Sequence, residues 1–304
     1  MSLKDIKGKI QSVGRTRKVT KAMEAVSAVK MRKTQARALS GRPYARAALS
    51  ILRHVSTALK TTGHPLTTER PVSKAALVIV TSDKGLCGVL NAAVLKESER
   101  VIRELNLPKE SIDVYAFGKK AAEYFERRQY VLAGRYENVS DDVSINDVTQ
   151  LSHTLTEGFT KTSYDVVYVL YTHYQSTFEQ KATARRLLPL TIDALDAMVN
   201  GIHITKSATV ATIHSSPAFY TTESDPTELL QVLIPRLVGV GLYHALIESK
   251  ASEHSARMVA MKNATDKSKE LSRSLTRKFN KVRQALITRE VSEIVGGIEA
   301  MASS

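Results

Sequence analysis

Apolar residues at the start of the chain fall on one helical stripe. Leu3, Ile6, Ile10 and Val13 are spaced three and four apart, and Val19, Met23 and Val26 resume the series. This heptad-like spacing predicts one long helix with a single apolar seam over residues 3–58. The seam fades into AEAVSAVKMRKTQARAL, an Ala-rich stretch that keeps high helix propensity. Gly14 weakens the helix locally, and Gly41 with Pro43 must kink or interrupt it. The Gly, Pro and Thr content of TTGHPLTTERPVS (61–73) marks a linker.

The period then changes. KAALVIVTS (74–82) reads as a buried strand, 89–106 as a helix, SIDVYAFG (111–118) as a strand and KKAAEYFERR (119–128) as a helix. QYVLAGRY (129–136) is a third strand, 146–161 a third helix and SYDVVYVLYTHY (163–174) a fourth strand. Such alternation predicts an α/β domain with a largely parallel sheet. Two further β-rich stretches, 176–189 and 207–221, flank a polar loop near 193–204 and add edge strands.

Residues 226–300 predict one very long helix. Asp225 is placed to cap it, with Pro226 first and Glu228 third. Heptad-like apolar spacing is clearest at Leu271, Leu275, Phe279, Val282 and Leu286, and continues at Ile294 and Ile298. Pro235 bends the early part, and Gly239 and Gly241 loosen it. The run 229–247 is apolar enough to raise a membrane span, but Pro235, Arg236 and His244 inside it favour a buried helix.

At 1.5 Å per residue the N-terminal helix would measure about 80 Å and the C-terminal one about 110 Å. A compact chain of this length has a radius of gyration of roughly 19 Å. Neither helix fits inside such a body. The expected fold is therefore α/β, with a long antiparallel coiled coil of the N- and C-terminal helices and a central Rossmann-like α/β domain. The segments are 1–60 and 226–304 for the coiled-coil helices and 74–225 for the domain. A hydrophobic period near 3.5 predicts a left-handed supercoil.

Charge sharpens this picture. Of the 304 residues, 44 are Lys or Arg and 30 Asp or Glu, a net charge of +14. Residues 1–60 hold 15 bases against Asp5 and Glu24, and residues 250–290 hold 11 bases against four acids. The middle is mildly acidic. Two basic terminal segments imply an acidic partner: nucleic acid, anionic lipid or an acidic protein surface. VSEIVGGIEAMASS, the last stretch, carries no Lys or Arg and suits an apolar collar.

Enzyme chemistry is scarce. A single cysteine excludes a disulfide framework or a multi-thiolate metal site. No G-x-x-x-x-G-K-[ST] loop and no strand-following G-x-G-x-x-G occur. TSDKGLCG (81–88) follows a strand and offers at most a weak anion loop; a tight turn with positive φ explains its glycines. Cys87 reads better as a buried thiol than as a nucleophile, because the histidines are scattered. Asp141 and Asp142 read as a loop and helix cap. No cofactor or metal site is expected. The polar basic start MSLKDIKGKI and the absence of a long apolar run point to a cytoplasmic setting without a signal peptide.

Three motifs carry a resemblance: LKDIKGKIQSVGRTRKVTKAMEAVSAVKMRK (3–33), TSDKGLCG (81–88), and ASEHSARMVAMKNAT (251–265) followed by FNKVRQALITREVSEIVGG (279–297). Together with the long terminal helices they resemble the gamma subunit of the rotary F-type ATP synthase, bacterial type, over nearly the whole chain. Val89 stands where the family has a second glycine, and Gly239 and Gly241 replace larger residues. The chloroplast thiol insertion is absent.

The resemblance implies a non-catalytic central rotor shaft. It would couple ion-driven rotation of the membrane c-ring to the cycling of the beta subunits. Its implied partners are the alpha and beta subunits of the hexameric catalytic ring, the epsilon subunit and the c-ring, with one copy per complex and no nucleic acid. The implied location is the cytoplasmic face of the bacterial plasma membrane, as a peripheral subunit. Ring contact and coupling would fall to Lys21, Met23, Lys30, Arg32, Arg257, Arg283, Gln284, Thr288 and Glu290. Val291, Ile294, Val295 and Ile298 would form the bearing tip, and Tyr220, Glu223 and Asp225 would meet the c-ring. Two rivals stand beside it: a nucleic-acid binder using the basic helices, and an enzyme with Cys87 as nucleophile.

Overall fold

The computed structural model describes residues 2–40, 65–190 and 226–302. The expected helix beyond Ser40, the break at Gly41 and Pro43, the loop 193–204, the strand at 207–221 and the Asp225 cap lie outside the described residues. By internal contacts the chain divides into two compact units, Met1–Val26 with Met258–Ser304, and Ser27–Arg257. The two long helices each contribute to both.

In the larger unit, β1 (Ala75–Val80), α2 (Leu90–Leu105), β2 (Ile112–Phe117), α3 (Lys119–Arg127), β3 (Val131–Tyr136), α4 (Asn146–Thr160), β4 (Val166–Tyr174) and β5 (Gln180–Leu188) follow in chain order. The sheet order is β3-β2-β1-β4-β5. The first four strands in that order are parallel, and β5 adds antiparallel to β4. The strand and helix expectations between residues 74 and 189 therefore agree with the structure. The fold is α/β with a Rossmann-like core.

Right-handed crossovers set the layers. The chain steps outward from β1 through α2 and α3, then reverses past β1 to β4 through α4. Reversal puts α4 on the opposite face. β1 shows the result at period two. Leu77 and Ile79 pack with Val94, Val101 and Phe125 of α2 and α3. Ala76, Val78 and Val80 pack with Leu151, Leu155 and Phe159 of α4. Buried on both faces, β1 has to read as the unbroken apolar run AALVIV.

The long helix α5 (Pro226–Ala302) completes the α4 face. Ile234, Leu237, Val238, Leu242, Leu246 and Ile247 enter the same core. This answers the membrane question raised by 229–247: the helix from Val232 is long and apolar enough to span a bilayer, but most of the apolar side chains from Ile234 to Ile247 are buried against the sheet and α4. Pro235 lies inside the helix, and Ser152 of α4 donates a hydrogen bond to its carbonyl at 3.2 Å. A Cβ at Gly239 would come 3.4 Å from the Ser152 hydroxyl, so the glycine permits the close approach of α4.

In the smaller unit, α1 (Leu3–Ser40) and α5 pair through one seam. Thr265 donates to the Thr20 hydroxyl at 2.8 Å. An antiparallel register on that contact sets Leu3 opposite Val282, Ile6 opposite Phe279, Ile10 opposite Leu275 and Val13 opposite Ser272. Burial follows it: Ile6 is fully buried, Leu275, Phe279 and Val282 are half-buried, and every described side chain after Val282 is exposed.

Two readings of the seam need correction. Val19 and Val26 are 58% and 56% exposed, and the buried positions are Thr20 and, in the larger unit, Ser27. Leu271 is likewise exposed, while Ser272 is half-buried. The 3-4 spacing begun by Leu3, Ile6, Ile10 and Val13 continues through polar residues. A search for apolar positions slips onto the outer face there. We expect Ile6→Ala to lower stability by about 2–3 kcal/mol and Val26→Ala by less than about 0.5 kcal/mol, read from chemical denaturation of the full chain.

Gly118, at the end of β2, has φ +88, and a Cβ there would lie 2.3 Å from the Thr81 carbonyl oxygen. Gly88 has φ +62 and open space around it. Gly118→Ala should cost about 3 kcal/mol through clash and strain together, and Gly88→Ala about 1 kcal/mol through strain alone. Denaturant midpoints of the two variants check this ranking.

Candidate functional site

In an open parallel sheet, ligands bind beyond the carboxyl ends of the strands where the strand order reverses. Here that point lies between β1 and β4. The loop leaving β1 is TSDKGLCG, the second motif. Its polar groups are engaged within the chain. Thr81 Oγ1 accepts from the Ala121 amide at 2.9 Å. Ser82 Oγ donates to the Lys84 carbonyl at 2.6 Å, and the Ser82 amide donates to Asn91 Oδ1 at 3.0 Å. Asp83 accepts from the amides of Lys119 and Asn138, fastening the start of α3 and the end of β3. Positive φ falls at Leu86 (+64) and Gly88 (+62) rather than at Gly85. Cys87 is buried, with the Asn91 amide 3.3 Å and the Ser82 hydroxyl 3.7 Å from its sulfur. Neither neighbour is a base.

Helix α5 covers this crevice. Ser252 donates to the Thr172 carbonyl at 3.1 Å, and Ser255 to the Thr177 carbonyl at 2.8 Å. Arg257, 8% exposed, donates to the carbonyls of Lys84 and Gly85 and pairs with Glu253 at 2.8 Å. These are the contacts Arg257 makes within the chain. Its guanidinium is turned inward, joining the third motif to the second.

One turn earlier, Glu248 is fully buried, its carboxylate 3.0 Å from His173 Nδ1 and 3.8 Å from His244 Nδ1. Burial, aided by the Glu248 charge, pushes the Tyr171 hydroxyl far above its usual value. Sequence periodicity cannot flag this group, since Glu248 occupies a helix position like any surface acid.

Asp141 and Asp142, expected as a loop and helix cap, sit in the loop before α4 but cap nothing there. At the start of α4, Asp147 accepts from the Ser144 amide instead. Asp141 takes Lys30 Nζ of α1 at 2.7 Å on one oxygen and His254 Nε2 of α5 at 2.9 Å on the other. Lys250 Nζ lies 4.0 Å away and donates to the Val139 carbonyl. Asp142 pairs with Lys33 at 3.7 Å and with Arg37. Lys30, one of the residues expected to contact the catalytic ring, reaches Asp141 within the chain, and half its side chain stays exposed. Partial burial works to raise the Asp141 pKa, but Lys30, His254 and Lys250 hold it down at about 2. Burial pushes His254 below the usual histidine value, against the pull of Asp141 and Glu253. At neutral pH the imidazole is therefore neutral and donates its Nε2 proton to the carboxylate.

Lys21, Arg32, Arg283, Gln284, Thr288 and Glu290 are exposed, and Met23 is half-buried. Val291, Ile294, Val295 and Ile298 are exposed on α5 beyond the paired seam. Tyr220, Glu223 and Asp225 lie outside the described residues.

A dinucleotide-type sheet whose crevice is filled by its own C-terminal helix, joined to a two-helix seam, defines a long-helix structural subunit built on an enzyme-like core. The family model described as ATP synthase matches residues 2–301. The chain is 39% identical over 305 positions to the ATP synthase gamma chain of Roseiflexus castenholzii, covering 99% of each. Solved structures share the fold. The Tetrahymena thermophila mitochondrial ATP synthase central stalk and c-ring structure gives a TM-score of 0.58 at 24% identity, covering 81% of this chain and 99% of that one. The Euglena gracilis mitochondrial rotor in rotational state 1 gives 0.61 at 18% identity, covering 94% and 98%. The Euglena OSCP, F1 and c-ring structure in state 3 gives 0.65 at 20%, covering 98% and 94%. The chain belongs to the ATP synthase gamma family, the non-catalytic stalk subunits of that enzyme.

Acid should weaken the fold in two steps. His254 has a folded pKa below 6.5, so its contribution is present above pH 6.5 and is lost as pH falls from 6.5 toward the folded value. Asp141, at about 2 folded against 3.8 otherwise, contributes above pH 3.8 and loses that as pH falls through 2. A third of the Asp141 side chain is exposed, so screening reduces its share to about 1 kcal/mol. Stability measured against pH in His254→Gln should lose the upper step and keep the lower one.

Proposed function

We propose that this chain is the central rotor shaft of an F-type ATP synthase. In that reading it turns with the membrane c-ring and drives the beta subunits through their nucleotide-binding states, without bond chemistry of its own. One copy would sit in the ring of alpha and beta subunits, with epsilon and the c-ring at the α/β domain. The complex would lie at the cytoplasmic face of a bacterial plasma membrane. Residues 1–60 and 226–304 would form the shaft and 74–225 the base.

The observation that carries this reading is the unpaired end of α5. After Val282 the helix has no α1 opposite it. It continues to Ala302, about 30 Å at 1.5 Å per residue. Val291, Ile294, Val295, Ile298 and Met301 are all exposed there, Met301 at 83%. No Lys or Arg follows Arg289. A lone helix with this much apolar surface gains stability only from a surrounding apolar wall. The paired part behind it is strongly basic, which suits acidic protein surfaces around it. Lys21, Arg32, Arg283, Gln284, Thr288 and Glu290 present exposed groups to such a ring, with Met23 beside the seam. For Tyr220, Glu223 and Asp225 the c-ring role rests on the family resemblance.

Reconstitution tests this. Purified chain mixed with alpha and beta subunits from the same source should give a complex with one copy per ring and ATP turnover that depends on it. A chain that stays apart, with turnover indifferent to it, overturns the reading. In membrane vesicles bearing the full complex, Arg283→Glu should lower the ions pumped per ATP while hydrolysis continues. An unchanged ratio removes Arg283 from the coupling set.

A further inference from the structure

The Asp141 carboxylate holds both long helices at once. Its Oδ2 takes Lys30 of α1 and its Oδ1 takes His254 of α5, at 2.7 and 2.9 Å. Lys250, one turn before His254, is tied to the Val139 carbonyl of the same loop at 2.9 Å. Around this point α1 has little apolar grip: its buried positions are Ser27, Met31 and Thr34. Apolar packing is non-directional and scales with area, so one methionine between two small hydroxyl side chains resists sliding and rotation poorly. Charge-assisted hydrogen bonds are directional, and Asp is short, with few rotamers to relax through. The neighbouring Asp142 is more exposed than Asp141, and its pairs with Lys33 and Arg37 both reach α1, so it ties one long helix where Asp141 ties two.

We propose that Asp141 is a positioning residue that locks α1 and α5 to the α/β domain, so that twist carried by the helices reaches the domain without slip. This rests on the rotor reading above. The depressed pKa of Asp141 keeps the lock charged throughout the physiological range. Neutral His254 supplies a donor that needs no counter-charge.

The test uses whole complexes in membrane vesicles. ATP hydrolysis and ion uptake are measured on the same sample for the parent, Asp141→Asn, Asp141→Glu and Lys30→Gln. Angular spread of single complexes at the catalytic pause is recorded in parallel. With Asp141→Asn we expect hydrolysis to persist, ion uptake per ATP to fall and the angular spread to widen. Asp141→Glu restores charge and should recover part of the coupling. Lys30→Gln removes one arm and should show the same change more weakly; it decides the matter if Asp141→Asn does not assemble. Unchanged uptake per ATP and unchanged spread overturn the proposal. So does a proportional fall in hydrolysis and uptake, which marks a plain stability role. If the parent complex itself shows no turnover dependent on this chain, the rotor reading fails rather than the lock.

Discussion

A helix of 77 residues cannot be satisfied by one environment, and the rest of the structure answers to that constraint. Its successive stretches meet four different environments. Ile234 to Ile247 complete the apolar face of the sheet. Ser252, Ser255 and Arg257 then spend small or charged groups on carbonyls at the carboxyl end of the sheet. From Met261 to Val282 the helix offers one stripe to α1. Beyond that, every described side chain is exposed. Helical hydrogen bonding is the same throughout; only the side-chain chemistry changes, and it changes where the partner changes. Filling the crevice has a functional consequence: the position where this sheet type receives nucleotides is taken by the chain's own backbone contacts.

Most of the secondary structure was legible because each element had an unambiguous period. β1, β2 and β4 are buried on both faces and read as apolar runs, and α2 to α4 carry apolar stripes at helical spacing. The seam was legible only while it stayed apolar. Thr20, Ser27 and Ser272 hold seam positions that hydropathy assigns to the outside, and Val19, Val26 and Leu271 beside them drew the reading onto the wrong face. The site residues were less legible for another reason. Burial of Arg257 and the double engagement of Asp141 depend on which loops the sheet topology brings under α5. No spacing within one segment encodes that. An acidic pair between strongly basic terminal segments is the available signal for these contacts, and taken locally it suggests only a cap.

The motifs that carry the family resemblance meet in space. Lys30 of the first motif and His254 of the third share Asp141, while Arg257 of the third reaches Lys84 and Gly85 of the second. Segments more than two hundred residues apart therefore constrain one another through a few directional bonds. Arg257 can tolerate its burial because Glu253 and two carbonyls take its donors. Lysine in its place would give up the planar fork that reaches several acceptors at once.

The same economy explains why the basic charge survives. In the smaller unit, Lys267 pairs with Glu270 and Arg289 with Glu293, each within one helix and highly exposed. Such pairs add little and leave most of the positive field uncompensated. For an isolated chain that field is a cost, since like charges along two paired helices repel. The seam meets it with few large apolar residues. A sequence selected for stability alone would fill Thr20 and Ser272 with leucine or neutralise the outer faces. This one keeps small polar seam positions together with a large net positive charge. That combination makes sense when the missing stabilisation comes from an acidic surface outside the chain.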